Sequence, residues 1–165
     1  MHINFLFLLA VSSAAAAPLW SSMIHARSKL QLEEYLKQSE NNQVIVHADL
    51  QTLNEKGETA LIAAMNLPQA DNALLFDLLD YCDEHQLDLI NRTSTFDGST
   101  ALHVAVIRLE KMVPPFISAT HGATLLRSLL EYGADTEARD HNGLRAEDHA
   151  KGFMWNNEIV EIFNA

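Results

Sequence analysis

Two groups of side chains are of types that can do chemistry. One is His103, set inside the apolar run of "FDGSTALHVAV"; the other is "DHNGLRAEDHA", which gathers Asp140, His141, Glu147, Asp148 and His149. Imidazole and carboxylate are the side chains that bind zinc or haem iron. A zinc pair on one helical turn needs histidines four apart, as in H-E-x-x-H, whereas His141 and His149 are eight apart across a glycine. That spacing reads as a solvated turn. No G-x-S-x-G, phosphate loop or G-x-G-x-x-G is present. The expectation is therefore no catalytic residue, no metal ligand, no resident cofactor and no enzymatic activity.

The elements that position these residues belong to a chain of 165 residues, 48% apolar, which is enough for one buried core. Acidic side chains number 22 against 11 basic, giving a formal charge of -11, and every charge lies after residue 26. Such a chain repels nucleic acid and anionic membrane, so its expected partner is a protein. The opening "MHINFLFLLAVSSAAAAPLW" has an apolar run from Ile3 to Val11, then serines and alanines. This is the layout of a signal peptide, 1–16, cleaved after Ala16. The run is far below the roughly 20 residues of a spanning helix. Export with a single cysteine, Cys82, rules out an intramolecular disulfide, so packing must supply stability. Asn91 opens "NRT", which has the form of a glycosylation sequon.

Two phrases recur in the same order. "KGETALIAA" from Lys56 and "DGSTALHVA" from Asp97 precede "LLFDLLDYC" from Leu74 and "LLRSLLEYG" from Leu125. The leucines share one helical face. Gly57 and Gly98 suit a turn with positive φ, and Thr59 and Thr100, two residues on, suit a helix N-cap. A repeated unit of turn, short helix, loop and longer helix follows.

This pattern resembles the ankyrin repeat, D-x-x-G-x-T-P-L-H-x-A followed by a leucine-rich helix and G-A-D. Gly98, Thr100, Leu102, His103 and Ala105 match it, as do Leu129, Leu130, Gly133, Ala134 and Asp135; Gly143 opens a further copy. The resemblance covers about residues 44 to 163. It implies an all-α solenoid of three to four helix-turn-helix repeats with short hairpin fingers: an N-terminal capping region at 17–54, then repeats with a C-terminal cap at 55–165. By the same resemblance His103 is a scaffold residue bonding across neighbouring turns. The turn glycines are 41 and 45 residues apart, against about 33 in the family, and leucine spacing places the excess in a long finger, "DEHQLDLINRTSTFDG", and around "KMVPPFISATHG", the insertion from Met112 to Gly122. In the closing helix Ile159, Val160, Ile162 and Phe163 form the expected packed face.

Stacked repeats bind through fingers and first helices. The resemblance puts the finger tips, and so the partner-binding residues, at Glu55, Lys56, Phe96, Asp97, Asp140, His141 and Asn142. The expected function is an exported, periplasmic or secreted, monomeric protein-binding module, such as an immunity or inhibitor protein that occludes a toxin or enzyme. The alternatives are a haem-delivery partner of an enzyme such as catalase, using His141 or His149, and an effector that binds a host protein.

Overall fold

The structure, a computed structural model, describes residues 17–25, 34–37, 46–66, 72–111, 119–151 and 156–164. The expected signal peptide, much of the expected N-terminal capping region at 17–54, and residues 112–118 of the proline-containing insertion lie outside the described residues. What is described is helical, with no β-strand among the described residues: α1 (Leu19–His25), α2 (Ala60–Met65), α3 (Asn72–Glu84), α4 (Ala101–Lys111), α5 (Ala119–Glu131), a 3-10 helix (Ala146–Ala150) and α6 (Asn156–Phe163). Residues 34–37 and 46–50 are helical too.

Burial sets the order of packing. The six residues of α2 are all buried, as a helix too short to persist alone requires. Its start is fixed by Thr59, whose Oγ1 accepts from Ile62 N–H at 3.2 Å. Helices α1, α2, α4 and the 3-10 helix pack in succession, with α3 against α2, α5 against α4, and α6 against both α5 and the 3-10 helix. The leucines at 74, 75, 78, 79, 125, 126 and 129 form the buried stripe of the longer helices, and His103 on α4 is buried too, at 0% exposure.

Helices α3 and α5 end alike. Leu87 N–H reaches Cys82 O at 2.8 Å and Gln86 N–H reaches Asp83 O at 3.1 Å; Ala134 N–H reaches Leu129 O at 2.9 Å and Gly133 N–H reaches Leu130 O at 3.0 Å. Both caps need a left-handed residue, which is Gly133 (φ 84°) in one and Gln86 (φ 54°) in the other.

These ends relocate the extra residues. Tyr81 matches Tyr132 in sequence, but α3 runs four residues further before its cap, just over a full turn of helix. From cap residue to turn glycine is 12 residues in one copy (86 to 98) and 10 in the other (133 to 143). The expected long finger is thus mainly a C-terminal extension of α3. The second excess behaves likewise: α4 has 11 residues against 6 in α2, and Ala119 to Gly122 are the first turn of α5 rather than a loop. In α6, Ile159 and Ile162 are buried and Phe163 packs beside them, while Val160 is 36% exposed. Residues three and four apart share a face, and Val160 lies off it.

Helix α1 is anchored by one carboxylate. Asp49 Oδ1 accepts from Leu19 N–H at 3.1 Å and Oδ2 from Trp20 N–H at 3.2 Å and the Tyr35 hydroxyl at 2.6 Å. The Trp20 indole N–H in turn reaches Asp49 O at 3.0 Å, with the ring fully buried. Two free N–H groups of a helix start against a carboxylate are a favourable charge arrangement.

Candidate binding surface at the turn tips

Three turns are built on the same plan. In the first, Asn54 N–H bonds Glu58 O at 3.0 Å and Gly57 N–H bonds Asn54 O at 2.9 Å, while Asn54 Oδ1 accepts from Lys56 N–H and Glu58 N–H, both at 2.9 Å. In the third, Asp140 N–H bonds Leu144 O and Gly143 N–H bonds Asp140 O, both at 2.9 Å, and Asp140 Oδ1 accepts from Asn142 N–H at 2.8 Å and Leu144 N–H at 3.0 Å. The middle turn closes one residue later: Ser94 N–H bonds Ser99 O at 2.8 Å and Gly98 N–H bonds Ser94 O at 3.0 Å. That extra residue sits at the tip with Phe96, which is 84% exposed, about twice any other large apolar side chain among the described residues.

The turns are also stitched to one another. Thr95 N–H donates to Gly57 O at 2.9 Å, and His141 N–H donates to Asp97 O at 2.8 Å. A Cβ on Gly98 would lie 2.5 Å from the His141 ring and 2.9 Å from its backbone nitrogen, so only glycine permits that approach. At Gly143 nothing lies within 4 Å of a Cβ, and the Gly143 carbonyl, the counterpart of Gly57 O, instead accepts from Arg139 Nη1 at 2.7 Å. A guanidinium stands at the end of the row where another turn's N–H would be.

His103 links this row to the core. Its Nδ1 meets the Thr100 hydroxyl at 2.8 Å and Thr100 N–H at 3.2 Å, and its Nε2 meets Leu144 O at 3.0 Å. A backbone N–H can only donate and a carbonyl can only accept, so the neutral Nε2–H tautomer satisfies both ends. The His149 ring lies edge-on to it with centroids 5.8 Å apart, and His149 Nε2 bonds Asp140 Oδ2 at 2.9 Å.

Of the residues expected at the tips, Glu55, Lys56, Phe96, His141 and Asn142 are exposed. Asp140 is not: it is buried and its carboxylate holds the third turn and His149. Burial alone pushes its pKa up, but hydrogen bonds from Leu144, His149 and Asn142 outweigh this and hold it below the usual carboxylate range. Asp97 is half-buried and accepts from Ser99 N–H at 3.0 Å; burial again opposes, and bonds from Ser99 and Ser94 lower its pKa. Both carboxylates therefore shape turns rather than reach for a partner. Among the described residues no group of three or more His, Cys, Asp or Glu side chains is placed to hold a metal ion, and no helix is long and apolar enough to cross a membrane. Cys82 is buried, and burial pushes its thiol up to about 12.

Three features left no signal in the pattern of residues. One is the Asp49 anchor. Another is a ring cluster in which His47 lies 4.9 Å from His85 and 5.9 Å from Tyr81 by centroids. Its Nε2 is buried with no hydrogen-bond partner among the described residues, and burial, then His85, lower its pKa. The third is Asn91, whose Nδ2 donates to Gly133 O at 3.1 Å and whose Oδ1 accepts from Asp135 N–H at 2.8 Å. The sequon asparagine is thus a clasp between two loops. No protein-family model matches the chain, and no curated protein matches it.

Proposed function

We propose that this chain is an exported, non-enzymatic binding module, built as a row of ankyrin-like repeats, that presents its turn tips to another protein. The observation that carries this reading is Phe96: an exposed aromatic at the tip of a turn bonded to both of its neighbours. A turn whose backbone is fixed before binding spares the loop-ordering part of the association penalty, so its aromatic can act as an interface anchor. A ridge of tips with one protruding ring is the shape complement of a cleft. The partner that suits it best is an enzyme or toxin whose cleft the ridge occludes, as an inhibitor or immunity protein does. Cleavage after Ala16 would leave the docked helix α1 intact, which suits export to the periplasm or beyond.

The test is a pull-down from the envelope and secreted proteins of the source cells. The chain from Ala17 onward serves as bait beside a variant carrying Phe96→Ala and Lys56→Glu, with captured proteins quantified by mass spectrometry. A stoichiometric partner captured by the parent and reduced at least tenfold by the variant, at unchanged melting temperature, is the expected result. Equal capture by both baits would remove the tips from the interface.

A further inference from the structure

The end of α3, the loop that follows it and the end of α5 enclose a cleft of about 270 Å³ that shares no residue with the turn tips. Its floor is apolar, formed by Leu61, Leu79, Leu87 and Ile90. Two carboxylates, Asp83 and Asp88, stand on its rim; both are exposed, and neither pairs with a basic side chain among the described residues. The described ion pairs instead gather between residues 137 and 151. The far wall is Tyr132 with Gly133.

The walls are held apart at a fixed width. Asn91 bonds Gly133 and Asp135 across the cleft at 3.1 and 2.8 Å, and the Tyr132 hydroxyl donates to Asp80. That bond, then burial and the charges of Asp80, Asp83 and Glu131, push the Tyr132 phenol up to about 12, so it stays a donor throughout the neutral range. The cleft is therefore formed before anything enters it.

Its size and lining select the occupant. Cofactor and drug-sized ligands take pockets of about 300–1,000 Å³, and this one is slightly below that range. A single long side chain fits better. The apolar floor suits an alkyl stem, the unneutralised carboxylates suit a cation at its end, and an aromatic wall adds cation-π attraction. The chain as a whole carries a formal charge of -11, which draws basic partners. We infer that this cleft is a socket for a lysine or arginine side chain on a basic segment of a protein partner, a second contact separate from the turn tips.

The full chain, labelled with nitrogen-15, is titrated with the peptide acetyl-Gly-Gly-Arg-Gly-Gly-amide and, separately, with its citrulline counterpart, which keeps the length and shape of the side chain without the charge. Amide shifts at Asp83, Leu87, Asp88 and Gly133 are expected to saturate with the arginine peptide at least tenfold more tightly than with citrulline. Asp83→Asn with Asp88→Asn should remove that preference, and Phe96→Ala should leave it unchanged, so failure here and failure at the tips are distinguishable. Equal binding of both peptides, shifts spread over the surface without saturation, or persistence in the double variant would overturn the socket. Tighter binding of free spermidine than of the arginine peptide would also overturn it, in favour of a small-cation site.

Discussion

Behind the turns at 54–58 and 94–99 the contact is apolar, and behind those at 94–99 and 140–144 it is polar. Ile62 occupies in α2 the place that His103 occupies in α4, and both are buried. The first junction has α1, α3 and α4 packed around α2, whose every residue is buried. The second ends on a five-residue 3-10 helix of which only Ala146 and Ala150 are buried. With so little apolar surface to bury, area alone fixes the last turn poorly. Directional bonds from His103, His141, Asp140 and His149 fix it instead. Directional bonds can therefore set the geometry where a hydrophobic core runs out.

Glycine substitution gives the largest expected difference, here between the second junction and the open end of the row. Gly98→Ala meets both a left-handed φ of 74° and the His141 backbone, whereas Gly143→Ala meets only the φ of 76°. The first should lose about 3 kcal/mol or more, strain and overpacking together, and the second about 1 to 2 kcal/mol. Urea unfolding of the two variants measures the gap; equal losses would mean that the turns are not stacked as described. Next in size is His103→Leu, which leaves Thr100 and one lone pair of Leu144 O without their partner, at about 1 to 3 kcal/mol. Ile62→Val at the matching place should lose about 0.5 to 1.5 kcal/mol. Amide exchange separates their manner: His103→Leu should speed exchange in 140–144 selectively, and Ile62→Val should not.

Acid sharpens the same contrast. The His47 pKa is lowered in the fold, by burial first and then His85, so its contribution is present above the unfolded value of about 6.5 and lost as pH falls toward the folded one. The Asp140 pKa is also lowered, and its contribution is present above about 3.9 and lost as pH falls through the folded value. Ring signals of His47 should therefore respond to acid before the carboxylate signal of Asp140, as followed by heteronuclear spectra between pH 7 and 3. The reverse order would place the weaker link at the last turn.

How far the sequence reaches is visible in these same residues. Turn positions were legible because glycine, with threonine two residues later, serves a local conformational need at Gly57 and Gly98. The buried stripes of α3 and α5 were legible because leucine pairs repeat at helical spacing. The C-terminal extension of α3 was not, since in "CDEH" only Cys82 is apolar, Asp83 and Glu84 are exposed, and no apolar period marks the helix. Phe96 is legible as a tip residue, but the one-residue lengthening beneath it is hidden, because glycine spacing measures only totals. Asp49 joins α1 across about thirty residues of sequence, and a single side-chain bond over that distance leaves no periodic trace.

The smallest predicted effect tests the two helix caps against each other. Gly133 takes the left-handed position at no steric penalty, while Gln86 holds φ 54° with a Cβ present. The residue is exposed and its side chain makes no described hydrogen bond, so little is lost on removing it. Two terms then oppose: relief of the left-handed strain, about 1 to 2 kcal/mol, and the greater freedom of glycine in the unfolded chain, about 0.5 to 1 kcal/mol. Gln86→Gly should therefore be stabilising by about 0.5 to 1 kcal/mol, and Gln86→Ala, which keeps the strain, should not. Thermal unfolding of both variants reads the difference, and a gain confined to glycine would show that α3 stops by the same backbone rule as α5.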